Sequence, residues 1–431
     1  MKILFLSHSS FAGGAERCLC MLLSGLPRDK YEPLVVLPPK GLLRRRGKGD
    51  ISPTVEQMGI ETVQASVKWW VGDWTRYKPF ARGLEQRVED IARIIKREEV
   101  ELVVSNTCVV VEGALAASRC RVPHVWYVHE MLDRDPVLDT FLPPERFYSL
   151  LSGLSAKVVA VSESVKSEVE QFGPLPNVEV LYTGIPPLEP SGLEHPKQEL
   201  FGHGDDTPVV SFVGLLSRRK GVLDLIDAAA LVHADLPKAR FVLAGGDGGE
   251  AREAARRIDS LGINDAVQLL GPRSDVPDIL AATDVFVLPA LADPLPLVVL
   301  EAMSMGLPVV ATHSGGCAEM VVDNQTGRLV PVGDAKSLAA AISQLLSDPS
   351  MAKEMGRRGK QRFDSLFSRQ RYIDQFGRIF DEAAQTEPAE VLPALEDELQ
   401  ATALSEAARH RRTAPVKQRL VEMLRSMSLV R

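Results

Sequence analysis

The stretch DPLPLVVLEAMSMG, residues 293–306, places one acidic side chain in a turn and a second one eight residues later in a predicted helix. Pro294 and Pro296 favour a non-helical approach and a helix start near Pro296. The pattern therefore predicts that Asp293 lies just before the helix and that Glu301 lies more than one full turn inside it.

The expected helix start is a candidate binding site for a phosphorylated ligand. The first N–H groups of a helix lack partners within the helix, and this end carries a partial positive charge. Phosphates bound there would lie between Asp293 and Glu301, whose carboxylates suit two separate hydroxyl-rich parts of one ligand. We therefore expect a sugar nucleotide. The alternative is a surface turn that leads into a half-buried helix, which Gly306 and Pro308 end.

Short apolar runs alternate with stretches of helical period along most of the chain. In the first half the expected strands are ILFLSH, PLVVLP, ELVVSN, HVWYVHE, KVVAVSE and VEVLYTG, and the expected helices cover residues 15–26, 84–98 and 164–172. In the second half the expected strands are PVVSFVG, RFVLAGG, AVQLLG, VFVLPA, PVVATH and GRLVPV. This alternation predicts an α/β protein with two doubly wound, Rossmann-like domains that face a cleft.

Composition divides the chain into five parts. The segment after residue 182 is rich in proline, glycine and charge, which is typical of a linker. We expect an N-terminal domain at residues 1–187, a linker at 188–206 and a C-terminal domain at 207–362. A C-terminal helix at 363–384 is expected to pack back on the N-terminal domain, and a charged tail follows at 385–431. The tail is either mobile or a docking helix.

The overall composition disfavours several classes of protein. The 431 residues carry a formal net charge of −7, which argues against a nucleic-acid binder that relies on bulk positive charge. The five cysteines are odd in number and irregularly spaced, so they indicate neither a disulfide framework nor a zinc site. The first apolar run is too short for a secretory signal, and we identify no transmembrane segment. We expect a cytoplasmic protein whose membrane contact would be peripheral.

Two turns after expected strands are candidate phosphate-binding loops. In SSFAGGAE, Gly13 and Gly14 open a helix and let the backbone approach a ligand, although a turn that serves only packing is equally consistent with them.

In VGLLSRRKG, Gly214 closes a strand, and Arg218, Arg219 and Lys220 follow before a helix. These cations could neutralise a diphosphate leaving group, and the alternative is that they are solvated.

The segment WYVHE ends a strand at His129 and Glu130, which directs the His129 imidazole toward the cleft. A histidine at this place is either structural or catalytic.

Together these segments resemble the retaining glycosyltransferases of family four, which have the GT-B fold of two Rossmann-like domains. The likeness covers about residues 1–384. Its best matches are the GGAE loop, the KG pair at residues 220–221, and the block that runs from DVFVLPA through LEAMSMGLPVVAT to GGCAEMVVDNQTGRLV. Six motifs follow the family's order, each at the end of an expected strand.

The resemblance implies a role for each motif. Glu301 would hold the ribose hydroxyls of the donor, Asp293 would face the donor sugar, and Lys220 with an arginine would grip the diphosphate. His129 would lie beside the transferred sugar, and Gly14 would border phosphate and acceptor. The expected catalytic residues are His129 and Asp293. The expected donor-binding residues are Gly13, Gly14, Gly214, Arg218, Arg219, Lys220, Asp293, Leu297, Val298 and Glu301.

The activity implied by the resemblance is that of a hexosyltransferase. It would move a sugar from a nucleotide-diphosphate-sugar donor to a glycan or lipid-linked acceptor with retention of the anomeric configuration. No metal or other cofactor is expected, because no Asp-x-Asp pair at a strand end accompanies these motifs. The alternatives are a GT-B nucleotide-sugar epimerase, a sugar phosphate synthase, and a non-catalytic scaffold that binds sugar nucleotides.

Three positions depart from the family's usual pattern. Asp293 stands where glutamate is usual, so its carboxylate reaches one methylene less far. Pro296 replaces a usual glycine and removes an N–H donor. Leu215 replaces a usual arginine, so Arg218 or Arg219 would have to compensate in the diphosphate grip.

Two segments of the first half are candidate acceptor or membrane contacts. Residues 38–50, PPKGLLRRRGKGD, are cationic, and residues 68–79, KWWVGDWTRYKP, combine Trp69, Trp70 and Trp74 with basic side chains. Aromatic and basic residues together suit stacking on sugar rings or an anionic membrane surface. We therefore expect a lipid-linked or polyanionic acceptor, met at the inner face of the membrane. The alternative is a solvated lid whose tryptophans pack on the domain.

Overall fold

The computed structural model describes residues 1–39, 49–72, 80–132 and 139–389. The strands are β1 Lys2–Leu6, β2 Glu32–Leu37, β3 Glu61–Gln64, β4 Leu102–Ser105, β5 His124–Val128, β6 Lys157–Ala160, β7 Val178–Val180, β8 Val209–Val213, β9 Arg240–Ala244, β10 Val267–Gly271, β11 Val285–Leu288, β12 Val309–Thr312 and β13 Gly327–Val330. The helices are α1 Gly14–Leu23, α2 Ser52–Gln57, α3 Leu84–Arg97, α4 Glu112–Cys120, α5 Pro144–Gly153, α6 Glu163–Val169, α7 Pro196–Phe201, α8 Val222–Asp235, α9 Ala251–Leu261, α10 Val276–Ala281, α11 Leu297–Ser304, α12 Cys317–Met320, α13 Ala335–Ser347, α14 Pro349–Leu366 and α15 Arg369–Ala384.

The strands form two parallel sheets. The first sheet has seven strands in the order β3-β2-β1-β4-β5-β6-β7, and the second has six in the order β10-β9-β8-β11-β12-β13. We call the first sheet with its helices the first lobe, and the second sheet with its helices the second lobe. The α/β prediction with two doubly wound sheets is confirmed. In each lobe the strand order reverses beside the first strand, which is where open α/β sheets bind ligands.

All twelve predicted strands are present, because most of them are apolar runs that the sheets bury. The first strand shows this, since Ile3, Leu4, Phe5 and Leu6 are fully buried. The sequence analysis missed β3 at the sheet edge, because its sequence ETVQ is polar and two of its four residues are exposed. It also missed α4, which is buried along most of its length and so lacks a clear amphipathic period.

The last helix of the described chain, α15, lies against the first lobe. Phe380 packs edge-on against Phe5 and Tyr31, with ring centroids 5.9 and 5.8 Å apart. Phe376 packs against Tyr127 at 4.9 Å. The chain therefore passes from the second lobe back to the first after α14.

Direct contacts join the two lobes near the carboxyl ends of their strands. Glu319 in α12 accepts hydrogen bonds from the backbone N–H groups of Glu163 and Ser164, both at 2.8 Å. This carboxylate thus caps the start of α6 from the opposite lobe. Within the four described ranges, no helix has the length and apolar character needed to span a bilayer.

Candidate active site

A cavity of about 660 Å³ lies between the lobes at the carboxyl ends of both sheets. Ten of the eleven residues expected at the site line it: Gly13, Gly14, His129, Gly214, Arg219, Lys220, Asp293, Leu297, Val298 and Glu301. Arg218 does not line the cavity. It begins a short 3₁₀ turn, Arg218–Lys220, and its side chain is exposed on the outside. Arg219 is therefore the arginine that accompanies Lys220 at the cavity.

Helix α11 supplies the second acid of the opening motif. The helix begins at Leu297, directly after Pro296, and Glu301 is its fifth residue. Glu301 is buried, and its carboxylate faces the cavity that Leu297 and Val298 also line. The predicted helix start and the predicted position of Glu301 within the helix are confirmed.

A second turn holds the loop that carries Asp293. The backbone N–H of Gly316 donates to the Asp293 carbonyl oxygen at 2.9 Å. Gly315 has φ +49°, and a Cβ atom there would lie 2.2 Å from the same carbonyl oxygen. Only glycine fits this conformation and this close approach. The glycine turn after β12 thus fixes the backbone of Asp293.

Lys220, Arg219 and Asp293 form a charged cluster at the end of β11. The Lys220 amine lies 2.5 Å from Oδ2 of the buried Asp293 carboxylate, and the Arg219 guanidinium lies 3.5 Å from the same oxygen. Arg219 also donates to the Ala292 carbonyl oxygen at 3.2 Å. Two cations therefore share one carboxylate, so the cluster carries a net positive charge.

The tight passage from Lys220 into α8 depends on Gly221. This residue has φ +69°, and a Cβ atom there would lie 1.9 Å from the Pro289 carbonyl oxygen. Close packing of the turn on the end of β11 is what brings Lys220 to Asp293. The KG pair at residues 220–221 is therefore one structural unit.

Arg17 is a cavity residue that the sequence analysis missed. It lies one turn inside α1, the helix that Gly13 and Gly14 open, and its Nη2 donates to Oε1 of Glu301 in the opposite lobe. The only sequence signal was its position four residues after Gly13, on a helix whose start was already expected at the cleft.

The glycine loop before α1 also faces the cavity. A Cβ atom on Gly14 would meet no other atom within 4 Å, so the backbone is open to a ligand at this point. The Gly13 N–H donates to Oε2 of Glu16 at 3.0 Å, which fixes the start of the helix.

His129 follows β5 directly and lines the cavity as expected. Its Nε2 is buried without a hydrogen-bond partner among the described residues. Burial, helped by the charge of His8, lowers the His129 pKa to about 3. The imidazole is therefore neutral near pH 7 and can exchange a hydrogen bond with a ligand hydroxyl.

Glu130, the neighbour of His129, also lines the cavity and was not among the expected site residues. Its Oε2 accepts hydrogen bonds from the Cys108 N–H at 3.2 Å, the Cys108 thiol at 3.3 Å and the His129 N–H at 3.1 Å. Burial raises the Glu130 pKa to about 7. The sequence placed Glu130 at a strand end but could not show this burial.

The tryptophan-rich segment is only partly within the described residues. Trp70 is fully buried, stacks on Trp126 and donates from its indole N–H to the Cys108 carbonyl oxygen at 2.6 Å. Trp70 therefore packs inside the first lobe and is not available to a membrane, which corrects that part of the hypothesis. Trp74 and most of the basic residues of both candidate loops lie outside the described residues.

The described ranges contain no cluster of three or more histidine, cysteine, aspartate or glutamate side chains suited to a metal ion. Metal independence remains a prediction. What the cavity does present is a net positive cluster near a helix start, with buried carboxylate and imidazole groups around it. This arrangement suits a ligand that carries both phosphates and hydroxyl groups.

Comparisons with known proteins agree with this geometry. Residues 12–187 match the family described as Glycosyltransferase Family 4, and residues 196–362 match Glycosyl transferases group 1. The α-maltose-1-phosphate synthase of Mycolicibacterium smegmatis is 31% identical over an alignment of 332 residues, and the match covers 68% of this chain and 81% of that enzyme. The lipopolysaccharide core biosynthesis glycosyltransferase LpsE of Rhizobium meliloti is 36% identical over 171 residues, but these are only 40% of this chain and 49% of LpsE.

Solved structures show the same architecture. The crystal structure of Anabaena HepE in complex with UDP has a TM-score of 0.73 and 26% identity, and it covers 88% of this chain and 100% of that chain. The sucrose-phosphate synthase of Thermosynechococcus elongatus has a TM-score of 0.70 at 20% identity, covers 89% of this chain and 99% of that chain, and shows the fold alone. On the evidence of fold, cavity and sequence, the chain belongs to the group-one, family-four glycosyltransferases, which have the GT-B fold.

Proposed function

We propose that this glycosyltransferase moves a hexosyl group from a nucleotide-diphosphate-sugar donor to a hydroxyl group of a glycan or lipid-linked acceptor. The anomeric configuration is retained, and neither a metal ion nor another cofactor takes part. The observation that carries the proposal is that the Lys220–Asp293 pair and Glu301 face one cavity at the start of α11.

The second lobe binds the donor. Glu301 accepts hydrogen bonds from the ribose hydroxyls, because its carboxylate is buried and held by a helix. Lys220 and Arg219, together with the N–H groups at the start of α11, take up the negative charge of the diphosphate. The HepE structure with UDP supports uridine diphosphate as the first nucleotide to test.

In the chemical step, the bond between the anomeric carbon and the diphosphate oxygen breaks while the acceptor oxygen forms a bond on the same face of the sugar. The bonding electrons leave with the diphosphate, and its departing oxygen takes the proton of the acceptor hydroxyl. The Lys220 cluster stabilises the charge that develops on this oxygen. His129 is neutral, and its Nε2 has no hydrogen-bond partner within the described part of the chain, so it holds a hydroxyl group of the transferred sugar.

The nature of the acceptor distinguishes two versions of the proposal. The match to LpsE, a lipopolysaccharide core biosynthesis glycosyltransferase, supports a glycan or lipid-linked acceptor. The longer match to α-maltose-1-phosphate synthase supports a sugar phosphate acceptor as the second candidate. The donor site is the same in both versions.

The test is a donor panel of uridine, guanosine and adenosine diphosphate sugars, with and without acceptors. We expect slow release of nucleoside diphosphate from one donor in the absence of acceptor, unaffected by EDTA, and faster release with the correct acceptor. Proton NMR of the glycosidic product then reports the anomeric configuration. A change of the donor sugar without transfer would indicate an epimerase, and tight binding without turnover would indicate a scaffold.

A further inference from the structure

Among the described residues that line the cavity, Arg17 is the only lysine or arginine of the first lobe. Its Nη2 donates to Oε1 of Glu301, and this is the one ion pair of its side chain within those residues. The Arg17 side chain is 53% exposed, whereas the Glu301 side chain is 5% exposed. Of the two partners, Arg17 is therefore the one with freedom to move.

The proposed ribose contact and Arg17 require the same acceptor atoms. Ribose hydroxyls that donate to Glu301 compete with Arg17 for the carboxylate, and Oε1 is the oxygen that Arg17 occupies. A carboxylate can accept several hydrogen bonds, but the buried Glu301 side chain leaves little space for a second donor beside the guanidinium on Oε1. Binding of the ribose therefore releases the Arg17 guanidinium within the cavity.

The charges of the second lobe do not fully neutralise a bound diphosphate, so the released guanidinium can supply the missing positive charge. A sugar-linked diphosphate has one negative charge on each of its two phosphoryl groups. Lys220 and Arg219 share the single carboxylate of Asp293, so their cluster balances only one of these charges. Leu215, which is exposed beside the cavity, supplies no charge.

Arg273 also lines the cavity but already has its own partner. Its guanidinium forms a two-point ion pair with Asp275, two residues along the chain, with Nε 2.7 Å from Oδ1. The proposed ribose contact does not involve Asp275. Arg273 is therefore not released by ribose binding in the way that Arg17 is.

We propose that Arg17 is a donor-binding residue that transfers from Glu301 to the diphosphate when the ribose takes its place. This inference rests on the proposed function and deepens it, because it adds a cation of the first lobe to a diphosphate site whose other proposed cations, Lys220 and Arg219, belong to the second lobe. The contact makes donor affinity depend on both lobes.

The exchange predicts that Arg17 lowers the affinity for a nucleoside and raises the affinity for its diphosphate. A nucleoside has the ribose but no phosphate, so Arg17 competes with it for Glu301. A nucleoside diphosphate also displaces Arg17 from Glu301, but its phosphates then bind the released guanidinium. No role of Arg17 in folding alone, and no simple ion pair, produces this reversal.

The experiment is isothermal titration of the full chain and its Arg17→Ala variant with uridine and UDP, guanosine and GDP, and adenosine and ADP. For the nucleotide that binds, we expect Arg17→Ala to weaken the diphosphate about tenfold, the effect of one charge-assisted hydrogen bond. The nucleoside should bind about threefold more tightly, because the half-exposed Arg17 side chain no longer competes for Glu301.

Two further variants sharpen the result. Arg17→Lys keeps the charge and should keep diphosphate affinity within about threefold of the wild type. Arg28→Ala, which removes a guanidinium that donates to the Leu23 carbonyl oxygen outside the cavity, should change neither affinity. Arg17→Gln removes the charge but keeps a polar side chain, and it gives the same comparison if the alanine variant does not fold.

The possible outcomes separate this inference from the proposed function. If the wild type binds a diphosphate and Arg17→Ala weakens nucleoside and diphosphate equally, or changes neither, the Arg17 contact is disproved and the proposed function stands. If the wild type binds none of the three diphosphates, the proposed function fails, and the inference fails with it.

Discussion

The two lobes present chemically different surfaces to one cavity. The second lobe contributes paired charges, with Lys220 and Arg219 on Asp293. The first lobe contributes His129 and Glu130, and burial favours the neutral form of both side chains. It lowers the His129 pKa to about 3 and raises the Glu130 pKa to about 7. This difference is what the proposed function requires, in which the second lobe holds phosphate charge and the first lobe holds hydroxyl groups. Arg17 is the exception that links the two surfaces.

Loss of Lys220 tests the charged surface and should have the largest effect. Lys220→Ala removes the amine nearest to Asp293, so we expect kcat/KM for the donor to fall by about a hundredfold or more. The measurement is release of nucleoside diphosphate under steady-state conditions.

Arg218→Ala is the matched control for Lys220→Ala, because Arg218 belongs to the same turn but lies outside the cavity. Its kcat/KM should stay within about twofold of the wild type. Equal losses in the two variants would show that the turn acts as a whole and would contradict the assignment to Lys220.

His129→Ala tests the first lobe's surface. The buried Nε2 has no partner among the described residues, so its loss should remove one hydrogen bond to the transferred sugar and lower kcat about tenfold. Affinity for the free nucleoside diphosphate should not change, because that ligand lacks the sugar. A loss of diphosphate affinity equal to the loss of kcat would place His129 at the phosphates instead.

Glu130→Gln sharpens the same comparison through the pH dependence of stability. Burial raises the Glu130 pKa from 4.5 to about 7, so its favourable contribution is complete below about pH 4.5 and is lost as the pH rises through about 7. Glutamine does not ionise. The stability of Glu130→Gln relative to the wild type should therefore rise by about 2.5 kcal/mol between pH 5 and pH 8.

Urea denaturation of both proteins at these two pH values measures the difference. The titratable groups that face Glu130 do not cancel this difference in stability. Burial raises the pKa of the Cys108 thiol, so the thiol stays protonated, and the low pKa of His129 is common to both proteins. Glu168, which adds to the field at Cys108, is also present in both. A difference that does not vary with pH would show that Glu130 is solvated.

Much of the fold could be read from local sequence. The strands are apolar runs bounded by turn residues, and buried parallel sheets require such runs. Both ends of α11 were also predictable from local sequence. Pro296 fixes its own φ just before the first helical residue, and Gly306 adopts the left-handed conformation, with φ +73°, that commonly follows a helix end.

The remaining features depend on contacts between distant residues. Arg17 and Glu301 are 284 positions apart, and nothing in either local sequence indicates that they meet. The burial of Glu130 depends on the Cys108 loop, and the burial of Trp70 depends on β5 and α5. Arg218 and Arg219 are neighbours in one turn, and only the direction of that turn decides which of them reaches the cavity.

The two crossings of the chain between the lobes lie side by side. Ile185 pairs with Ser368 in a parallel bridge, and its N–H donates to the Phe367 carbonyl oxygen at 3.1 Å. The helix that follows Ser368 covers Phe5 and Tyr31 of the first lobe. A chimera that exchanges acceptor-binding halves with a relative must therefore carry residues 369–384 together with the amino-terminal segment, because a single junction near residue 187 would pair each half with a foreign helix.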